Sequence, residues 1–145
     1  LDYLANGPSI NIESDQTRLF VRMQGRKIYE YALKNVPAAI KETIEDAGLS
    51  IEDINKILIH QANAKMDYAM IERLHKLYNV KDYDHSISPM TIQDFGNSSV
   101  ATIPTMFDLI IKGKMEGQSF KEKGNIVMTS VGAGMNINAI VYRFP

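Results

Sequence analysis

The sequence has 145 residues, 45% of them hydrophobic and 23% charged, with 16 Lys and Arg against 17 Asp and Glu for a formal net charge of -1. That is the size of one domain, long enough to bury roughly two thirds of the surface its unfolded chain exposes, and its mixed charges leave no footprint for nucleic acid or an anionic membrane. Zero cysteines exclude disulfides, thiolate metal sites and a cysteine nucleophile within this chain.

The chain opens on Leu1 rather than methionine, and residues 1–18 are polar and turn-rich around Asn6-Gly7-Pro8. They are expected to be a linker or loop ahead of a domain over 19–145, in a piece of a longer protein. No apolar run approaches the ~20 residues that span a bilayer, and no signal-peptide order opens the chain. A soluble, cytoplasmic protein is the expectation. Leu19 to Met23 reads as a short strand ending at Gly25. Ile28, Ala32, Val36, Ile40 and Ile44 then recur at helical spacing. Pro37 is expected to kink or divide that helix and Gly48 to stop it.

Ile57-Leu58-Ile59 is a continuous apolar run suited to a strand buried on both faces, with His60 at its carboxyl end. From Ala64 to Tyr78, Met66, Met70, Leu74 and Tyr78 share one helical face, while Asp67, Glu72, Arg73 and Lys76 fall elsewhere. A short strand is expected near Ser86 to Ser88. A third helix carries Val100, Ile103, Phe107, Ile110 and Ile111, with Pro104 bending its first turn. Ile126 to Val131 and Met135 to Phe144 read as an antiparallel hairpin around Gly132-Ala133-Gly134. The order βαβαβαββ predicts an α/β fold, a mixed but mostly parallel sheet with helices packed on it. Ligands bind such sheets at the carboxyl ends of the strands. That places three loops together: the turn after His60, the loop before Ser98, and the glycine turn.

Each loop has a plain explanation when taken alone. His60 suits a strand-end histidine bonded to a backbone carbonyl, Asn97 and Ser98 are favoured helix caps, and most glycine turns are only turns. His60, His75 and His85 show no pairing at i, i+4, so no metal site is expected. His75 reads as solvated among charged residues. The single glycine of Met23-Gln24-Gly25-Arg26 argues against a dinucleotide fingerprint.

Taken together and in order, Met23-Gln24-Gly25, Ile59-His60-Gln61-Ala62-Asn63, Gly96-Asn97-Ser98-Ser99 and Gly132-Ala133-Gly134 resemble β-ketoacyl-acyl carrier protein synthase III over about Leu19 to Phe144. The resemblance implies a thiolase-like half whose amino-terminal counterpart carries a nucleophilic cysteine, so this chain alone is expected to be inactive. It implies a decarboxylative Claisen condensation of acyl-coenzyme A with malonyl-acyl carrier protein, with coenzyme A thioester as substrate and no other cofactor. His60 and Asn97 match the two donors to the enolate oxygen, and the Ala133 backbone N–H matches a position facing the acyl-thioester oxyanion. Gly25, Tyr29, Ala62 and Asn63 match positions lining the pantetheine and acyl tunnel. Lys65 and Arg73 fall where carrier protein docks, while Glu30 and Glu72 stand where bases are common. The implied partners are acyl-coenzyme A, malonyl-acyl carrier protein, the chain's own amino-terminal half and a second copy in a homodimer. Another thiolase-like acyltransferase of secondary metabolism, or a non-catalytic thiolase-fold interaction domain, would carry the same pattern.

Overall fold

The computed structural model describes residues 4–7 and 20–145, and its longest element follows directly from the apolar spacing. Helix α1 (Gly25–Asp46) buries Ala32, Val36, Ile40 and Ile44 on one stripe. Pro37 does not divide it: the helix is continuous through a buried Pro37. Interior proline costs ~3 kcal/mol through the lost N–H and a ring clash, and here the tertiary packing of the apolar stripe outweighs that cost. Gly48 stops the helix as expected. Its φ of 71° lies in the left-handed region, and the N–H groups of Gly48 and Leu49 return to the Glu45 and Ile44 carbonyls.

Strand β3 (Ile54–Ile59) pairs in parallel with β4 (Asn125–Val131), which pairs antiparallel with β5 (Ile137–Arg143). Alternation along β3 separates two cores. Ile57 and Ile59 meet α1, Val127 and helix α2 (Ala64–Leu77) on one face, while Leu58 meets Ile126 and helix α4 (Thr102–Ile111) on the other. Phe107, Phe120 and Phe144 close the second core, with centroids 5.0 and 5.1 Å apart about Phe120. The result is the expected α/β arrangement, a mixed sheet covered by helices on both faces.

Several local expectations are corrected. Strand β2 (Phe20–Met23) does not join that sheet; it pairs antiparallel with β1 (Leu4–Gly7), a strand within the segment read as a linker. Leu19 and the rest of residues 1–18 lie outside the described residues. The stretch near Ser86 is a 3₁₀ turn, His85–Ile87, opened by Asp84, whose side chain accepts from the Ser86 N–H; local side-chain bonding of this kind competes with strand pairing. A single helical turn, α3 (Ile92–Phe95), and a 3₁₀ turn at Ser99–Ala101 precede α4. Helix α4 buries Thr102, Met106 and Ile110, whereas Val100 is 90% exposed and Ile111 54%. The buried stripe is therefore rotated from the one read off the sequence. Pro104 sits in the first turn of α4, where a missing N–H breaks no intrahelical bond.

On α2 the expected face holds, with Met66, Met70 and Leu74 buried. Two polar residues depart from their predicted place. His75 is not solvated: it is buried, its Nδ1 lies 2.9 Å from the Ile71 carbonyl, and its ring stacks on Tyr83 at 3.7 Å. Burial lowers its pKa. Asp67 is fully buried, and among the described residues neither carboxylate oxygen meets a hydrogen-bond partner. Desolvation pushes its pKa up to about 7, with the nearby Asn63 backbone acting weakly the other way. The packing geometry leaves the carboxylate without a counter-charge, so burial dominates.

Candidate functional site

The parallel pairing of β3 and β4 brings their carboxyl ends together, and the loops that leave them form the site. The His60 backbone N–H donates to the Thr129 carbonyl at 2.9 Å, carrying the β3 ladder one residue past its end. This fixes where the half-buried imidazole leaves the sheet. In the second ladder Val131 faces Ile137, and the five-residue connection between them contains Gly132, Ala133 and Gly134. Gly134 has φ 75° and Met135 φ 58°. The turn is held by Asn136, whose backbone carbonyl accepts from the Gly132 N–H at 3.0 Å and whose Nδ2 donates to the Ala133 carbonyl at 3.1 Å. Tyr31 of α1 reaches the same turn, its hydroxyl donating to the Met135 carbonyl at 3.4 Å.

Between these loops lies a groove of about 310 Å³ lined by Ile28, Ala32, His60, Ala62, Met66 and the turn from Val131 to Met135, with Met23 at its rim. Its wall is mostly apolar. His60 is the ionisable group on it, and desolvation lowers the ring's pKa while the nearby Ser99 backbone works against that shift. Desolvation is the larger effect, so the imidazole is held neutral at pH 7.

The Asn97 loop arrives from the other side. Asn97 is exposed, and its Oδ1 accepts from the Ser99 N–H at 2.8 Å. Ser99 itself holds φ at 54°, a sparsely populated conformation for a residue with a side chain. Its backbone N–H thus bonds the Asn97 amide, and its backbone lies close enough to the His60 ring to act on that ring's pKa. With Oδ1 occupied, the end of Asn97 left for a ligand is the donating Nδ2. Nothing in the sequence marked Ser99 as this link, because its role depends on a loop conformation.

Of the predicted binding residues, Ala62 and Ala133 line the groove together with His60. Asn97 is not on its wall; it is bonded to Ser99, whose backbone acts on the His60 ring. Asn63 adjoins the groove but caps α2, its Oδ1 accepting from the Met66 N–H at 3.3 Å. Gly25 and Tyr29 stand exposed on the first turns of α1, beside the lining residue Ile28. Lys65 and Arg73 are exposed on α2. Glu30 is paired with Arg26 and Glu72 with Lys76, so the two acids are partly offset by their own helix neighbours. Among the described residues no group of three or more His, Cys, Asp or Glu could hold a metal ion.

Residues 44–144 match the family described as 3-Oxoacyl-[acyl-carrier-protein (ACP)] synthase III C terminal. The chain is 30% identical over 125 residues to the Beta-ketoacyl-[acyl-carrier-protein] synthase III of Latilactobacillus sakei, an alignment covering 86% of this chain and 35% of that protein. Among solved structures it is similar to the 3-oxoacyl-(acyl carrier protein) synthase III of Pseudomonas aeruginosa, with TM-score 0.76 and 21% identity over 99% of this chain and 40% of that one. It is also similar to the priming β-ketosynthase of the R1128 polyketide biosynthetic pathway, with TM-score 0.76 and 25% identity over 98% of this chain and 40% of that one. The chain thus spans well under half the length of these relatives.

Proposed function

Because the chain belongs to the 3-oxoacyl-[acyl-carrier-protein] synthase III C-terminal family and has its thiolase-like fold, we propose that it supplies the enolate-stabilising donors of a decarboxylative condensation. The observation that carries this reading is the half-buried His60 imidazole on the wall of the groove it shares with the Ala133 turn, at the sheet's carboxyl edge, with the Ser99 backbone that bonds Asn97 close enough to act on its ring. In the proposed reaction a cysteine in the amino-terminal half accepts an acyl group from acyl-coenzyme A. Malonyl-acyl carrier protein then loses carbon dioxide: the bond between its carboxylate and α-carbon breaks, and that electron pair becomes an enolate. Negative charge gathers on the thioester oxygen. A neutral imidazole N–H and an amide N–H both donate to it, and preorganised donors in a water-poor site are worth about 3 kcal/mol each. The enolate carbon then attacks the acyl-cysteine carbonyl, forming the new carbon-carbon bond and expelling the thiolate.

The Ala133 N–H, on the wall of the groove that His60 shares, is assigned to the second oxyanion, that of the acyl thioester. Gly25, Tyr29, Ala62 and Asn63 are assigned to the pantetheine arm, and exposed Lys65 and Arg73 to the acidic surface of the carrier protein. A homodimer and a cytoplasmic location belong to the same proposal; among the described residues no helix is long and apolar enough to cross a membrane.

The test uses the full-length protein, with carbon dioxide release and cysteine acylation measured separately. His60→Ala or Asn97→Ala is expected to slow release by ~10²- to 10³-fold. Acylation should suffer less at Asn97 than at His60, since an imidazole near the nucleophile also favours its thiolate. Normal release in both variants would leave His60 a packed strand-end residue and Asn97 a turn cap. The likeness to a priming β-ketosynthase favours one second reading, a starter enzyme of secondary metabolism. Turnover of a series of acyl-coenzyme A starters separates the two.

A further inference from the structure

Gln61 follows His60 and is fully buried, with its whole hydrogen-bonding capacity used. Its Oε1 accepts from the Thr91 N–H at 2.8 Å and from the Thr91 hydroxyl at 3.3 Å. Its Nε2 donates to the Pro89 carbonyl at 3.0 Å and to the Met106 sulfur at 3.0 Å. An amide offers two donors and two acceptor sites, so nothing is left over. The partners lie on both sides of the Asn97 loop: Pro89 and Thr91 precede it, and Met106 follows it on α4. One side chain at the end of β3 therefore grips both flanks of that loop, one residue from the imidazole the loop must meet.

We propose that Gln61 is a positioning residue for condensation, holding the Asn97 loop at a fixed offset from His60 so that both donors converge on the enolate oxygen. This rests on the enolate reading above. The plain alternative is a satisfied core amide that stabilises the fold without favouring either half-reaction. The two differ in what they make sensitive. A clasp on the Asn97 loop affects decarboxylation, whereas general loosening affects acylation as well.

Gln61→Met keeps the volume and removes all four bonds, leaving the buried Thr91 N–H and Pro89 carbonyl without their partner. In the full-length protein this variant is compared with wild type, Asn97→Ala and the double variant. A displacement of about 1 Å at a reacting group can cost ~10²-fold. Gln61→Met should accordingly lower kcat for carbon dioxide release by ~10- to 10²-fold, with KM and cysteine acylation changed by less than about 3-fold. In the Asn97→Ala background the same change should cost almost nothing further, since residues acting as a unit are not additive. Should Gln61→Met fail to fold, Thr91→Val removes only the hydroxyl bond, and a smaller loss with the same selectivity and the same silence beside Asn97→Ala is expected. Unchanged release, an equal loss in acylation, or losses that multiply in the double variant would overturn the assignment. Normal release in Asn97→Ala alone would overturn the enolate reading, and the role of Gln61 with it.

Discussion

The buried carboxyl of Asp67 shows how a single residue sets a pH response. Its pKa in the folded chain stands at about 7, against 3.8 as the ordinary value. Between those values the folded state binds more protons than the unfolded one, so stability falls as pH rises toward 7 and levels off above it. Asp67→Asn removes the charge without removing the bulk. It should stabilise the protein at pH 8 by about 1–3 kcal/mol and have little effect at pH 4, as read by denaturant unfolding at the two pH values. Equal effects at both would mean that the carboxyl finds a partner when ionised. His75 and His60 act in the opposite sense: burial lowers both, so each withdraws stability as pH falls below the ordinary histidine value of 6.5.

At the scale of elements, the helix ends and the loops that follow them carry both stability and chemistry. Gly48 holds φ 71° with open space where a Cβ would sit, so the cost of a side chain there is conformational rather than steric. Gly48→Ala should lower stability by ~1 kcal/mol, measurable as a shift in denaturant midpoint at constant slope. Gly25 is also open but lies within the first turn of α1 at ordinary φ, where alanine is the better helix former. Gly25→Ala should therefore leave stability unchanged or slightly raised. A rise in KM for the coenzyme A thioester in that variant is the mark of the pantetheine role proposed for it; an unchanged KM would remove Gly25 from the binding set. At the far side of the sheet, Lys56 on β3 donates to the Ser86 carbonyl at 2.6 Å, tying the 3₁₀ turn where a strand was expected to the outer edge of β3.

At the scale of the whole molecule, the described residues hold the proposed donors while the nucleophile required by the proposed reaction is not in this sequence, which has no cysteine. Incubated alone with acetyl-coenzyme A, the chain should show no covalent acyl adduct by mass spectrometry, because there is no thiol to accept the group. A stoichiometric adduct at the His60 groove would contradict that division of labour. Apolar side chains near the site are open to solvent here, Met23 at 64%, Phe95 at 54% and Val100 at 90%. This fits the proposal that another part of the complete protein packs against the same edge.

Sequence alone determined the features that repeat locally. Ile57-Leu58-Ile59 is apolar on both faces of a strand, which requires cover on both sides, and the stripes of α1 and α2 were legible because a helix returns to the same face every turn. The His60 motif and the glycine turn could be placed at strand ends by the same logic, the Asn97 loop could not because it follows a helical turn rather than a strand, and the family came from the resemblance of the motifs taken together and in order. Tertiary structure decided what depends on distant partners. The pairing of β2 with β1, the rotation of the α4 stripe and the burial of Asp67 and His75 follow from neighbours that no local period specifies. The bonds of Gln61 reach residues 28, 30 and 45 positions away, and the Ser99 bond to Asn97 forms in a backbone conformation that its side chain disfavours. Such contacts exist only once the chain has closed, which is why the residues of the candidate site could be proposed from sequence and the framework around them could not.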